Sequence, residues 1–99
     1  MLRETGKVIA VLPKVEGVSK KTGEKWANQQ FVLEVDEAYT RRVVFQINGL
    51  ERIEKADLRI GEIIEVKAQV EGHCFQDRWY NDVRVYDIYR QGRSILQDN

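Results

Sequence analysis

In stretch after stretch of this chain, apolar residues fall on every second position. Side chains that alternate in this way lie on one face of a β-strand. Phe31, Leu33 and Val35 alternate with Gln30, Val32 and Glu34, and Val43, Phe45 and Ile47 alternate with Arg42, Val44, Gln46 and Asn48. Ile64, Val66, Ala68 and Val70 alternate with Glu65, Lys67 and Gln69. Strands of this kind bury a face only against more sheet or a helix, so the chain is committed to a β architecture. Phe31, Phe45 and Ile47 belong to its core. From Arg78 to Tyr89 the apolar phase moves from Val83 and Val85 to Tyr86 and Ile88, which predicts a bulge. Gly6 to Pro13 is different: Val8, Ala10 and Leu12 are apolar, and so are Ile9 and Val11 between them. A strand apolar on both faces is covered twice or shared by two sheets.

The breaks set the order. Lys14 to Lys25 holds Gly17, Ser19, Thr22 and Gly23 among four lysines and predicts a loop, or a hairpin with a mobile tip. Asp36 to Thr40 and Glu71 to Asp77 are expected as turns. Between Leu50 and Leu58 the period changes to three, with Leu50, Ile53 and Ala56 apolar, which predicts a helix of two to three turns. Three strands, a helix and two more strands is the order of an all-β, five-stranded OB-fold barrel with one short helix between strands 3 and 4. An SH3-like barrel offers no place for that helix, and a plain α+β sandwich is the remaining alternative. The 99 residues suit one domain, expected over residues 1–90 with a short polar tail over 91–99.

Several functions are excluded by composition. Lys and Arg number 16, against 16 Asp and Glu, so the chain is no polycation. One Cys excludes a disulfide framework and a Cys-rich zinc site. No apolar run approaches the about 20 residues of a membrane span, and a cytoplasmic setting is the expectation. His73 and Cys74 are neighbours in sequence and point to opposite faces of an extended chain, so they do not pair as base and nucleophile. Glu71, His73, Cys74 and Asp77 are donors on paper but lack the second ligand pair of a structural zinc site. Glu16 to Gly23 lacks the spacing of a phosphate-binding loop. No catalytic residue, metal or cofactor is expected.

Nucleic acid suits the residues better. OB barrels bind on the face of strands 2 and 3, between the loops joining strands 1 to 2 and 4 to 5. Lys14, Lys20, Lys21 and Lys25 lie in the first loop, and Trp26, Gln30, Arg42 and Gln46 lie on the outward face. Phe75, Arg78, Trp79 and Tyr80 follow at the last turn. Cations for phosphate and aromatics for bases are what a single strand requires. Residues 1–50 carry eight cations and six anions, and residues 51–99 eight and ten, so the first half is +2 and the second −2. Each candidate also has a structural reading. One of Trp79 and Tyr80, adjacent in a strand, is expected to face inward. Trp26 either covers an open barrel end or stacks on a base. The lysines either solvate a loop or bind, and Arg41 and Arg42 beside Asp36 and Glu37 form an ion-pair cluster. Ile9, Val11 and Ile63 are apolar where a lone barrel would be polar, which predicts a homodimer or higher oligomer.

Four stretches carry a resemblance: Thr5-Gly-Lys-Val-Ile-Ala-Val-Leu-Pro13, Gln30-Phe-Val-Leu-Glu34, Leu58-Arg-Ile-Gly-Glu-Ile-Ile-Glu-Val66 and Arg78-Trp-Tyr-Asn-Asp-Val-Arg84. Over about residues 5–90 the chain resembles small single-domain proteins of unknown function found mainly in Bacteroides and relatives. These in turn resemble the OB domains of single-stranded-DNA-binding and primosomal replication proteins. The resemblance implies an OB fold and non-catalytic binding of single-stranded nucleic acid, DNA more than RNA. Asp77 stands where it leads one to expect a glycine before Arg78-Trp79. The alternatives are a protein-interaction module without nucleic-acid binding, or an oligosaccharide-binding barrel using the same aromatics.

Overall fold

A computed structural model describes residues 2–97. Along them run β1 (Leu2–Val11), β2 (Val15–Val18), β3 (Lys25–Asp36), β4 (Thr40–Asn48), α1 (Leu50–Ala56), β5 (Ile63–Phe75), β6 (Arg78–Arg90) and β7 (Arg93–Ser94). The long strands β1, β3, β4, β5 and β6 are the five expected, and α1 stands between the third and fourth of them.

These five close on themselves. β1 pairs antiparallel with β5 through Leu2–Lys7, then with β3 through Lys7–Val11. β3 pairs with β4, and β5 with β6. A parallel bridge between Gln46 and Arg84 joins β4 to β6 and completes the ring, giving OB topology. The doubly apolar first strand is thereby explained, because its two halves serve different neighbours. The partner changes at Lys7, and the register slips just beyond it, between Val8 and Ala10. Gly6 sits at this crossing: a Cβ there would run into the Glu34 carbonyl oxygen, so β1 and β3 approach closely only without a side chain.

Alternation fills the interior. Val8, Phe31, Leu33, Val35, Phe45, Ile47, Ile64, Val66, Ala68, Val85 and Ile88 are buried. The rings of Phe31 and Phe45, direct cross-strand partners, stack at 5.4 Å and 20°. α1 is shorter than expected: it ends at Ala56, and Asp57 takes a left-handed cap at φ 41. Ile53 and Ala56 face the core. Arg52 donates to the Val85 carbonyl at 2.9 Å, and Arg90 to the Ala56 carbonyl at 2.7 Å, tying the helix to β6. The predicted bulge in β6 is present: Lys67 faces Asp87 and Ala68 faces Val85, leaving Tyr86 as the extra residue.

Of the two alternatives for the segment after Lys14 the hairpin is the one formed, with β2 antiparallel to β3. Two other features differ from expectation. The segment after Arg90 forms β7 against β6 and buries Leu96, and Ser94 Oγ lies 2.8 and 2.9 Å from the two carboxylate oxygens of buried Asp87. Glu71 to Asp77 is not a turn. β5 continues to Phe75, and only Gln76 and Asp77 turn, at φ 51 and 63. Two left-handed residues joining adjacent strands match the right-handed strand twist, and aspartate tolerates that conformation without a glycine. The result is a hairpin arm exposed at every residue from Gln69 to Asn81. Among the described residues no helix is long and apolar enough to cross a membrane.

Candidate nucleic-acid interface

The register of β3 and β4 fixes the outward face. Asn28 lies opposite Asn48, Gln30 opposite Gln46, Val32 opposite Val44 and Glu34 opposite Arg42. Gln30, Arg42 and Gln46 thus share one surface, as alternation predicts. The Gln46–Arg84 bridge carries that surface onto the arm. Counting in twos from Arg84 gives Asp82, Tyr80 and Arg78 on β6, opposite Glu71, His73 and Phe75 on β5. One band therefore runs from β3 across β4 to the arm.

Trp79 is not on it. With its partner Cys74 it belongs to the opposite phase of the arm, the phase of Val70 and Val83. The expectation that Trp79 or Tyr80 turns inward is incorrect: Trp79 is 76% exposed and Tyr80 43%. The arm projects beyond the ring, so neither of its faces meets a core. Tyr80 is partly covered instead by the His73 ring, stacked at 5.4 Å, and His73 Nδ1 lies 3.0 Å from Asp82 Oδ2. His73 and Cys74 do sit on opposite faces. Among the described residues no group of three or more His, Cys, Asp or Glu could hold a metal ion.

The candidate cations separate into two sets. Lys14 is 3.3 Å from Glu16 and Arg42 is 3.4 Å from Glu34. Arg84, on the same band, is 3.6 Å from Glu71. Lys20, Lys21, Lys25 and Arg78 have no ion pair among the described residues. The first three lie at the β2–β3 turn, beyond the Asn48 end of the band, and Arg78 lies at the arm tip, at its other end. Arg41 faces away from the band, donating to Glu4 Oε1 and Oε2 at 2.6 and 2.7 Å. These two bonds from a single guanidinium nitrogen, with Glu37 nearby, hold the Arg41 pKa above its usual value.

Trp26 shares the outward phase at the turn end of the band. Its cross-strand partner is Gly17, where a Cβ would lie 2.6 Å from Cε2 of the indole. The ring rests on glycine backbone, yet stays 45% exposed. It thus packs on β2 and remains open at once. Trp26 lines a cavity of about 620 Å³, with Gly17, Val18, Lys25, Asn28, Asn48 and Leu50 among its other walls. Alternation puts Asn48 on the outward face, but does not bring Asn28 and Asn48 together. Their opposition needs the register, which no local pattern supplies. Gly17 carried no signal beyond that of a loop glycine.

A family model described as "Domain of unknown function (DUF3127)" matches residues 4–89, and the chain belongs to that family. No curated protein matches the sequence. Among solved structures, the chain is similar to the mitochondrial single-stranded DNA binding protein Rim1 from S. cerevisiae. The TM-score is 0.66 at 13% identity, covering 91% of this chain and 92% of that one. A small single-stranded DNA-binding protein from Streptomyces coelicolor gives a TM-score of 0.45 at 9% identity, over 86% and 85% of the two chains. At such identity the likeness to the yeast protein shows a shared fold, the OB fold inferred from the order of strands.

Proposed function

We propose that this family member binds single-stranded nucleic acid, DNA in preference to RNA, without catalysing a reaction. The strand lies along the outward band of β3 and β4 and onto the arm. The observation that carries this reading is the Gln46–Arg84 bridge, which makes one surface of two groups of candidate residues far apart in sequence. Amides of Gln30 and Gln46 line its middle. Trp26 and Tyr80, with Phe75, offer π faces toward its two ends, where every base can stack. Lys20, Lys21, Lys25 and Arg78, which have no ion pair among the described residues, meet phosphates there, whereas Lys14 and Arg42 are already engaged by carboxylates. The yeast protein of the same fold is itself a single-stranded DNA binder, which supports the choice of ligand.

The test is a titration of tryptophan fluorescence with oligo-dT at two salt concentrations. Phosphate contacts release counterions, and four contacts at about −0.7 each give a log–log salt slope of about −2.8. Absence of quenching at low salt and high micromolar protein would leave the protein-interaction module in its place. A second property is favoured by a separate observation: Ile60 and Ile63 are 70% and 67% exposed, so we also propose self-association through that side of the ring.

A further inference from the structure

The cations available to a phosphate stand in two places only. Lys20, Lys21 and Lys25 are at the β2–β3 turn, next to Trp26 and its cavity of about 620 Å³. Arg78 is at the arm tip, with Phe75 and Tyr80 beside it. The rest of the band carries the carboxylates of Glu34, Glu71 and Asp82 against the cations of Arg42 and Arg84. Each of those cations already faces a carboxylate, and Asp82 lies 3.0 Å from His73. Among the described residues, a phosphate between the two ends therefore meets no cation that lacks a carboxylate partner, and gains little there.

The register gives the gap between the ends. Gln30, Gln46 and Arg84 are level with one another, and β3 and β6 run in opposite directions. Going down in number from that level, β3 leads to Lys25 at the turn and β6 leads the other way, to Arg78. The two stretches total about 11 residues, and at about 3.3 Å each they set the ends about 36 Å apart along the strands. The longest dimension of the molecule is 43 Å, which accommodates that span. We propose that the site is bipartite and selects for strand length: only a single strand that reaches from the turn lysines to Arg78 and Tyr80 engages both ends. A stacked strand rises about 3.4 Å per nucleotide, so about a dozen nucleotides bridge the gap. Five nucleotides fall short even at about twice that rise, and settle at the turn, the end with more cations. Once one end is held, the second contact is intramolecular, so affinity climbs when the gap is bridged. This inference rests on the single-strand reading above and adds a length requirement to it.

The experiment follows the anisotropy of end-labelled oligo-dT, of five and of twelve nucleotides, with the wild-type chain and an Arg78→Gln/Tyr80→Ala variant. A longer strand offers any site more registers, so the quantity read is the loss caused by the variant at each length, in which that statistical gain cancels. The variant should bind the twelve-mer about tenfold more weakly or worse, and the five-mer within about twofold of wild type. Its melting temperature should not change, because both side chains are exposed. In the wild-type chain the log–log salt slope should be about −2.8 for the twelve-mer and about −2.1 for the five-mer, which meets only the three lysines. Lys20→Gln/Lys21→Gln is the second variant and should weaken both lengths. An equal loss at both lengths in the arm variant, or none at either with binding intact, would overturn the bipartite site and keep the single-strand reading. So would a lysine variant that spares the five-mer. A wild-type chain that binds neither oligomer at low salt would overturn both.

Discussion

Trp26 keeps its seat because the residue opposite has no side chain. Gly17→Ala would place a Cβ 2.6 Å from Cε2 of the indole, so the ring must move outward. In a Trp79→Phe background, where Trp26 alone reports, its emission should shift to the red and oligo-dT should bind more weakly. An unchanged spectrum would mean that the ring does not rest on Gly17. Trp26→Ala should cost about 1–3 kcal/mol of binding, the worth of one stacked base. It should leave the fold intact, because this ring covers no part of the core. Phe31 is the contrast: fully buried and stacked on Phe45, it should cost about 3–5 kcal/mol of stability when cut to Ala. Chemical denaturation checks the second loss and titration the first. A Trp26→Ala variant that unfolds, or a Phe31→Ala variant that stays folded and only binds less, would reverse the two roles.

Among the elements, the arm is the one whose removal separates binding from folding. Its residues from Gln69 to Asn81 are all exposed, so they contribute little buried area. Replacing Gly72–Asn81 by an asparagine–glycine turn should leave the melting temperature within a few degrees. It should weaken oligo-dT binding by about thirtyfold or more, by loss of the Tyr80 and Phe75 faces and of Arg78. A variant that melts far lower would make the arm part of the core. Amides of the arm and of the 19–24 turn should also exchange hydrogen faster than those of β3 when no ligand is bound. The five long strands were legible in the sequence because burial on one face imposes a period of two, and α1 because its period changes. The arm was hidden: Glu71-Gly-His-Cys has turn composition, and its pairing comes from a two-residue turn without glycine. Trp79 was misjudged for the same reason, since a strand that leaves the ring has no inside. Alternation could place Arg42 and Gln30 on one face, but not Arg42 against Glu34, which depends on how three residues between β3 and β4 set the register.

At the scale of the whole molecule, the charges balance while the band does not. Its middle is neutralised by Glu34 against Arg42 and Glu71 against Arg84, and its free cations stand at the two ends. Replacing Lys20 and Lys21 together by Gln should therefore halve the salt slope to about −1.4. Arg42→Gln should change it little. Away from the band, Ile63 at the start of β5 and Ile60 in the turn before it are 67% and 70% exposed, where solvent gives them nothing. Ile9 and Val11, also apolar in the sequence, are both half-buried, and Val11 packs against the monomer's own core. A second copy would cover the two exposed isoleucines. Covering such side chains stabilises an assembly by roughly 25 cal/mol for each Å² removed from water, before the cost of association. Light scattering at micromolar concentration should give about twice the chain mass of 11.6 kDa. Ile63→Glu should return it to 11.6 kDa without lowering the monomer's stability or its affinity for oligo-dT, because Ile63 supports neither core nor band. A wild-type protein that scatters as 11.6 kDa would show that the two isoleucines are simply exposed.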